Sequence, residues 1–325
     1  MVTKISGGSE NVLAGPDAGW RPVAPLNVPR GGLAGASLGG AVYAAGGWTD
    51  TRFQTAVADL EQLPDSPGAR WHRLPSMPTA RGNPAAAALD GRVYVLGGYP
   101  PAGQAFDVVE AYDPGRNVWS SVARLPSPRG AAGAAAAGDR LYVAGGDDGT
   151  STAIPLDTMV SYDAGTRSWR PEPPMPTARS LLKMVELGGD IYAIGGVADG
   201  PFLATVERYD AQLRTWRPVA AMSTGRGNPG VATVGNRIVV VGGAGGALGS
   251  AQPLTSSEIY DPRADRWQVL PAQLRPGRAS LISASLRPDT VLAIGGFDAA
   301  GPAVTAGTGR VDALQIGPAT RAAGG

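Results

Sequence analysis

The chain contains no cysteine and a single histidine, His72. Without cysteine there are no disulfides, no thiolate nucleophile and no thiolate metal ligand. Because the one histidine directly follows Trp71, on a segment expected to form an outer strand, neither a Ser-His-Asp mechanism nor a multi-histidine metal centre is available. Lysine is almost as rare, since Lys4 and Lys183 are the only two among 28 basic residues. These absences exclude thiol chemistry, triad hydrolysis and histidine-bound metals.

The chain also lacks an excess of charge of either sign and a long apolar run. The 28 basic and 27 acidic residues give a formal net charge of +1, which leaves no electrostatic footprint for nucleic acid or an anionic membrane. Nowhere do about 18 apolar residues follow one another, and residues 1–20 hold one lysine and no apolar signal core. We therefore expect no nucleic-acid or membrane partner and a cytoplasmic location, unless a leader has been removed.

Glycine and proline, by contrast, are abundant. The 48 glycines and 29 prolines interrupt nearly every stretch in which a helical apolar period could develop. The apolar fraction of 43% suffices for a core, while charged residues, at 17%, fall below the usual level of about 25%. The composition indicates an all-β globular protein.

A Gly-Gly pair that ends an apolar strand recurs six times, at intervals of 51, 48, 50, 47 and 53 residues. A tryptophan precedes the pair by 26 residues in five cases and by 28 in the last. The pairs begin at Gly46, Gly97, Gly145, Gly195, Gly242 and Gly295, and the tryptophans are Trp20, Trp71, Trp119, Trp169, Trp216 and Trp267. Such regularity indicates a repeat architecture in which each unit buries its face against the next.

Two further signals recur between these marks, an arginine after a Pro/Gly/Thr-rich bend and a Tyr-Asp pair. The arginines are Arg30, Arg81, Arg129, Arg179, Arg226 and Arg278, and the Tyr-Asp pairs begin at Tyr112, Tyr162, Tyr209 and Tyr260. Each unit then consists of four short strands, which is one propeller blade. In this pattern the chain resembles the kelch repeat over residues 20 to about 316, and the resemblance implies a six-bladed β-propeller.

The ends of the chain complete the last blade. The blade that starts at Arg278 runs out after a third strand near residues 309–314, and the strand at Trp20 has no blade of its own. We therefore predict that residues 20–25 form the outer strand of blade six, which removes open sheet edges. Residues 1–18 and 317–325 are expected to be flexible tails around one propeller domain, residues 19–316.

The resemblance places a ligand-binding face at the channel end that carries the arginines, where family members grip acidic peptides. Arg30, Arg81 and Arg278 are our candidate ligand contacts, because a guanidinium binds a carboxylate or phosphate in bidentate fashion. They belong to the three consecutive blades whose Gly-Gly is followed by an aromatic residue. Those aromatics, and two asparagines that lie two residues beyond an arginine, complete the candidate set: Trp48, Tyr99, Phe297, Asn83 and Asn228. The alternative is that the arginines pair with strand-end carbonyls or neighbouring aspartate side chains, as part of the repeat, and that the aromatics have no special role.

Lys183 is the candidate catalytic residue, with Tyr99 and Asp147 beside the channel. Four residues after the arginine, the other five blades carry alanine, glycine or isoleucine, so Lys183 is the only charge at that position. Desolvation lowers the pKa of an amine and suits it to acid/base or imine chemistry. The alternative is a lysine that pairs with a carboxylate or extends into a wet channel.

Enzymes known among kelch proteins narrow the chemistry. The copper oxidases need a cysteine-linked tyrosine and histidine ligands, and the iron motif of nitrile-forming members is matched only by Glu61, Asp65 and His72, with the wrong last gap. Five aspartates follow Gly-Gly pairs, where their oxygens suit either a calcium ion or, more commonly, ordinary turn chemistry: Asp50, Asp147, Asp148, Asp199 and Asp298. We expect no metal and no cofactor.

Two functions remain open. One is a propeller that binds a small polar or anionic molecule at the channel mouth and isomerises or cyclises it, as the sialic-acid mutarotase type of kelch protein does. The other is an interaction scaffold that takes an acidic peptide or loop on the same face. A closed, aromatic-walled pocket favours the first, and a broad open dish favours the second.

Overall fold

The computed structural model describes residues 19–150, 154–298 and 306–317. They form six four-stranded antiparallel sheets arranged as the blades of a β-propeller. This confirms the all-β, six-bladed fold expected from the sequence. The tails predicted at residues 1–18 and 317–325 lie outside the described residues, except for residue 317.

Each blade is a meander whose first strand lies nearest the channel. Blade one contains β2 (Ala34–Leu38), β3 (Ala41–Ala45), β4 (Leu60–Pro64) and β5 (His72–Leu74). Blade two contains β6 (Ala85–Leu89), β7 (Arg92–Leu96), β8 (Val109–Asp113) and β9 (Val118–Ser121). Blade three contains β10 (Gly133–Ala137), β11 (Arg140–Ala144), β12 (Met159–Asp163) and β13 (Ser168–Glu172).

The remaining blades repeat this order. Blade four contains β14 (Lys183–Leu187), β15 (Asp190–Ile194), β16 (Val206–Asp210) and β17 (Thr215–Val219). Blade five contains β18 (Gly230–Val234), β19 (Arg237–Val241), β22 (Ser257–Asp261) and β23 (Arg266–Val269). Blade six contains β25 (Ile282–Arg287), β26 (Thr290–Ile294), β28 (Val311–Gln315) and β1 (Arg21–Val23).

The two chain ends meet in blade six as predicted. Strand β1 pairs antiparallel with β28, with Arg21 opposite Ala313 and Val23 opposite Val311. At three residues, β1 is shorter than the predicted 20–25. Pro22 within it and Pro25 beyond it lack the N–H that a longer ladder would need. The pairing closes the ring.

Residue size follows the radius of the propeller. Innermost strands are rich in small residues in blades one, two and three, as in β10, Gly133–Ala137, whereas β14 of blade four carries larger ones. The second strands are apolar and buried along most of their length, as in β3. Further out, in blades two to five, the tyrosine of the third strand packs on the tryptophan of the fourth, with ring centroids 5.4 Å apart for Tyr112 and Trp119. Six buried clusters between neighbouring blades form the core, so stability comes from blade-to-blade packing.

Three short secondary-structure elements lie at the end of the channel that carries the arginines. Two short ribbons pair β20 (Ala244–Gly245) with β21 (Gln252–Pro253), and β24 (Arg278–Ala279) with β27 (Phe297–Asp298). A single turn of 3-10 helix spans Leu248–Ser250. Within the described ranges, no helix is long and apolar enough to span a membrane.

Candidate functional site

The upper face is defined here as the end of the propeller that carries the six repeat arginines, the Gly-Gly pairs and the loops that follow those pairs. The lower face carries the hairpins that join first to second and third to fourth strands. All residues proposed from the sequence as ligand contacts belong to the upper face, because the first strands begin and the second strands end there.

The six repeat arginines are buried, each with 2% or less of its surface exposed. In blade two, Arg81 donates from Nη1 to the carbonyl oxygens of Gly97 (3.2 Å) and Val108 (2.9 Å) and forms an ion pair with Glu110. Arg129, Arg179, Arg226 and Arg278 bond to their own Gly-Gly carbonyl in the same way. Each guanidinium therefore ties the start of the first strand to the end of the second and the start of the third.

Five of these arginines pair with a buried carboxylate on the third strand. The pairs are Arg30–Glu61, Arg81–Glu110, Arg179–Glu207, Arg226–Glu258 and Arg278–Asp312. Blade three has no carboxylate at this position. The equivalent residue of its third strand is Val160, which pairs with Val143 of the second strand. Arg129 is held by neutral groups instead, including the hydroxyls of Ser127 and Thr158. Burial lowers the pKa of Arg129 to about 10.

These contacts bear directly on the ligand role expected for Arg30, Arg81 and Arg278. Their guanidinium groups have no exposed surface and are engaged inside their own blades. A ligand could reach them only by displacing a buried carboxylate, which is costly. The contacts therefore favour the alternative left open above, in which the arginines pair within the repeat. Four of the five carboxylate partners are glutamates, however, and only Asp312 is an aspartate.

A closed ring of six backbone hydrogen bonds surrounds the axis just inside the upper face. Each residue two positions after a repeat arginine donates its N–H to the carbonyl of the equivalent residue in the preceding blade, at 2.7–3.0 Å. The six residues are Gly32, Asn83, Ala131, Leu181, Asn228 and Ser280, all with φ between 45° and 59°. Five are not glycine, so each bears the cost of a left-handed conformation. The hydrogen bonds of the ring offset that conformational cost, and they link every blade to both of its neighbours.

Asn83 and Asn228 meet across the centre of this ring. They belong to opposite blades, yet Asn228 Nδ2 lies 3.4 Å from Asn83 Oδ1 and 3.1 Å from Ser280 Oγ. A Cβ added at Gly32 would overlap Asn83 Oδ1. The two asparagines thus approach from opposite sides of the channel as the sequence suggested, but they contact each other and close its centre.

The aromatic residues after Gly-Gly lie flat against the next blade. Added Cβ atoms at Gly82, Gly130 and Gly31 would overlap the rings of Trp48, Tyr99 and Phe297, respectively. Trp48 is 3% exposed and Phe297 9%. The three rings are consecutive around the propeller, as predicted, but Trp48 and Phe297 are covered and do not form an open stacking wall. Their contacts hold neighbouring blades together at the upper face.

An exposed phenylalanine from the first loop completes an aromatic cluster. Phe53 is 47% exposed and packs edge-on against Trp48 and Phe297, with centroid distances of 5.7 and 6.0 Å. We call Trp48, Phe53 and Phe297 the aromatic cluster. It lies where blade six meets blade one, and Phe53 is the part that solvent reaches.

Tyr99 and Asp147, two of the three candidate catalytic residues, are in contact. The Tyr99 hydroxyl donates to Asp147 Oδ1 at 2.7 Å, and the same oxygen accepts the N–H of Gly149 at 3.0 Å. Burial, together with the nearby carboxylate, raises the pKa of Tyr99 well above its usual range. Tyr99 is therefore a neutral donor that joins the loops of blades two and three.

Lys183 lies below the ring, in the channel. It lines a cavity of about 60 Å³ together with residues from the innermost strands of all six blades. Burial lowers the pKa of its ammonium to about 8. The cavity lining includes neither Tyr99 nor Asp147, so the three candidate catalytic residues do not share one site.

Some features of the site were missed from the sequence. The carboxylate partners of the arginines stand two residues before the repeat tyrosine, as in Glu110, Glu207 and Glu258, which is a readable signal. Phe202 covers Gly227 as the other aromatics cover their glycines, although it stands seven residues after Gly195. Phe53 gave no signal, because nothing in its local sequence indicates which loop residue faces solvent.

Comparisons with known proteins agree with this repeat. The Kelch motif matches residues 80–126, 128–176, 178–223 and 225–272, together more than half of the chain. The chain belongs to the kelch-repeat family. Its four matched segments correspond to the parts of the sequence in which the arginine, Gly-Gly, Tyr-Asp and tryptophan signals all occur in one uninterrupted stretch.

The curated relatives match this chain over only part of its length and of their own. Human Kelch domain-containing protein 8B is 31% identical over 140 residues, 40% of each chain. An F-box/kelch-repeat protein of Arabidopsis thaliana is 37% identical over 80 residues, and human Kelch repeat and BTB domain-containing protein 13 is 36% identical over 103. These matches cover 25% and 31% of this chain and 20% and 22% of those proteins. The chain thus spans two fifths or less of these relatives.

A solved structure supports the architecture over most of the chain. The structure of YjhT superposes with a TM-score of 0.74 and 20% sequence identity, and covers 88% of this chain and 95% of that one. At this identity the likeness establishes the fold and nothing finer.

Proposed function

We propose that this kelch propeller is a protein-binding module that takes a peptide or loop of another protein on its upper face, with the aromatic cluster as the anchor point. The observation that carries this proposal is the closure of the channel centre by the ring and by Asn83 and Asn228. A ligand at the upper face must therefore lie across the surface and cannot enter the axis.

The aromatic cluster supplies a suitable contact on that surface. Phe53 is exposed but backed by two buried rings, so its position is fixed before a partner arrives. Aromatic residues that are held in place contribute strongly to binding because little conformational entropy is lost. Ile154, 74% exposed, is a second large apolar side chain on the upper face, in the loop of blade three.

The partner's chemistry follows from these apolar contacts. The sequence suggested an acidic peptide because of the repeat arginines, but their charges are engaged inside the blades. Exposed charges in the surface loops include both signs, with Arg52 beside Phe53 and Asp148 and Asp199 further round. We therefore propose a partner that presents an apolar or aromatic residue to Phe53.

Binding of a small anionic molecule with cofactor-free catalysis remains a separate prediction. It rests on Lys183, since Arg30, Arg81 and Arg278 are occupied and Tyr99 serves as a donor to Asp147. The cavity beside Lys183, about 60 Å³, is far below the several hundred Å³ of typical small-molecule sites. This difference in size is why we place protein binding first.

A pair of exposed apolar residues on opposite faces provides the test. Phe53→Asp removes the anchor, and aspartate tolerates the positive φ of 57° found there. Leu213→Asp, on a lower-face hairpin and 73% exposed, is the matched control. Quantitative affinity capture with the two variants nominates a partner, and calorimetry with the purified partner then measures affinity.

We expect Phe53→Asp to weaken binding by at least about tenfold, as for loss of a central aromatic contact, and Leu213→Asp to leave the dissociation constant within about twofold. Equal losses from both variants, or loss from Leu213→Asp alone, would contradict an upper-face binding site.

A further inference from the structure

The channel cavity contains one charged group. Its lining combines Lys183 with apolar and small residues of every blade, among them Ala85, Gly133, Val231 and Ser283. No other titratable side chain belongs to that lining. Lys183 thus lies in surroundings that offer its charge no acidic partner.

The ammonium of Lys183 makes no hydrogen bond or ion pair to the described part of the chain. Glu186, the nearest carboxylate in sequence, turns away and accepts the N–H of Gly189 at 2.7 Å in the hairpin of the same blade. Lys183 is half-buried and borders the cavity, so water or a counter-ion in that space must supply the hydrogen bonds of its ammonium. A charge held in a confined space without a protein partner is costly unless such a group compensates it.

The surrounding charges reinforce this imbalance. Six buried arginines and Lys183 are matched by five carboxylates, Glu61, Glu110, Glu207, Glu258 and Asp312. Arg129 in the adjacent blade is one of the cations without a carboxylate. Arg129 and Lys183, in neighbouring blades, are thus the two of these seven cations that have no carboxylate partner among the described residues.

From the cavity, its single ammonium and this charge imbalance, we propose that the channel binds one small monovalent anion at Lys183. A space of about 60 Å³ accommodates a few water-sized particles. It admits a halide or a one-carbon carboxylate and excludes a sugar acid. The ring closes the upper end, so the anion enters from the lower end, where Ser37 is exposed.

Such an anion would act as a structural counter-ion at the hub of the ring. It would hold Lys183 in the charged form and connect the first strand of blade four to the strands across the channel. This inference concerns the channel and does not depend on the proposed role of the upper face.

Thermal unfolding of the full chain in matched salts tests the proposal. We expect the melting temperature to rise by at least about 3 °C more between 10 and 500 mM sodium bromide, or sodium formate, than over the same range of sodium gluconate, whose anion is too large for the cavity. In Lys183→Met the salts should act alike. A rise with formate alone would identify the ligand as a carboxylate.

Crystals of the unmodified protein grown in bromide provide a second measurement that needs no variant. We expect an anomalous peak within hydrogen-bonding distance of Lys183 Nζ. Equal effects of bromide, formate and gluconate on the unmodified protein, or the same salt difference in Lys183→Met, would overturn the proposal. If bromide raises the melting temperature but its crystals show no peak at Lys183, the proposal is overturned as well.

Discussion

Blades two and six build the same four-stranded sheet in different ways. Blade two is one continuous segment in which Tyr112 packs on Trp119 and the indole donates to the carbonyl of Pro75 at 2.8 Å. Blade six combines both chain ends. Leu314 stands where blades two to five carry tyrosine, as Leu63 does in blade one. The buried Nε1 of Trp20 has no partner among the described residues.

The two blades agree, however, near the axis. Both have a buried arginine–carboxylate pair, a Gly-Gly pair with positive φ and a residue in the backbone ring. The difference teaches that the outer rim tolerates replacement of aromatic contacts by aliphatic packing, while the inner contacts recur in the composite blade. The reason is geometric, because every blade must meet both neighbours at the ring.

The largest expected effect comes from removing the outer strand of blade six. Deletion of residues 1–24 takes away β1 but keeps buried Leu26, and leaves the edge of β28 unpaired. Because ring closure couples all blades, we expect the single cooperative unfolding transition to broaden or split. Differential scanning calorimetry measures this.

Deletion of residues 1–18 alone is the control and should leave the transition unchanged. An undisturbed transition in the longer deletion would show that blade six does not need its composite strand.

The inner contacts can be broken in either blade. Arg81→Met leaves the buried Glu110 without a charged partner, so we expect it to lower the free energy of unfolding by about 3–5 kcal/mol. Arg278→Met should cost less, because Arg310 still pairs with Asp312 at 2.9 Å. Arg129→Met leaves no carboxylate behind and should cost only about 1–2 kcal/mol, the scale of lost neutral hydrogen bonds. Denaturant unfolding gives the three values. If Arg278→Met proved as costly as Arg81→Met, the ion pair of Arg310 with Asp312 would not compensate for the loss of Arg278.

Blade four differs from the other blades at Lys183, and the pH dependence of unfolding shows how much this charged residue lowers the stability of the protein. The folded pKa, about 8, lies below the ordinary 10.5, so between these values the unfolded chain binds more protons and stability rises with pH. We measure the free energy of unfolding in gluconate and compare the unmodified protein with Lys183→Met. The difference should rise in favour of the unmodified protein by up to about 3 kcal/mol between pH 8 and 10.5. Chemical denaturation at pH 8 and 10.5 checks this. A constant difference would mean that the ammonium is fully solvated.

The smallest effect compares the rim of the two blades. Trp119→Phe removes an indole that donates a hydrogen bond, whereas Trp20→Phe removes one that does not. We expect the first change to cost about 1 kcal/mol more than the second, the net worth of one hydrogen bond. Melting temperatures of the two variants suffice. Equal costs would show that Trp20 finds a partner in solution.

The sequence by itself determined the number of blades and the way the ring closes. Both follow from periodic local signals: Gly-Gly pairs at strand ends, tryptophans at strand starts, and an orphan strand at Trp20 opposite a blade that lacks one. It also identified Lys183 as an exception, because one position could be compared across six repeats. Periodicity carries such information without any knowledge of long-range contacts.

The tertiary structure alone decided what the arginines, asparagines and aromatic residues do. Arg81 finds Glu110 29 residues away, Asn228 finds Asn83 145 residues away, and Trp48 packs on a glycine of the next blade. A repeat pattern places such residues at one end of the channel but does not say whether they face solvent or one another. That outcome depends on how closely the six blades approach at the axis, which is a property of the closed ring and not of any single repeat.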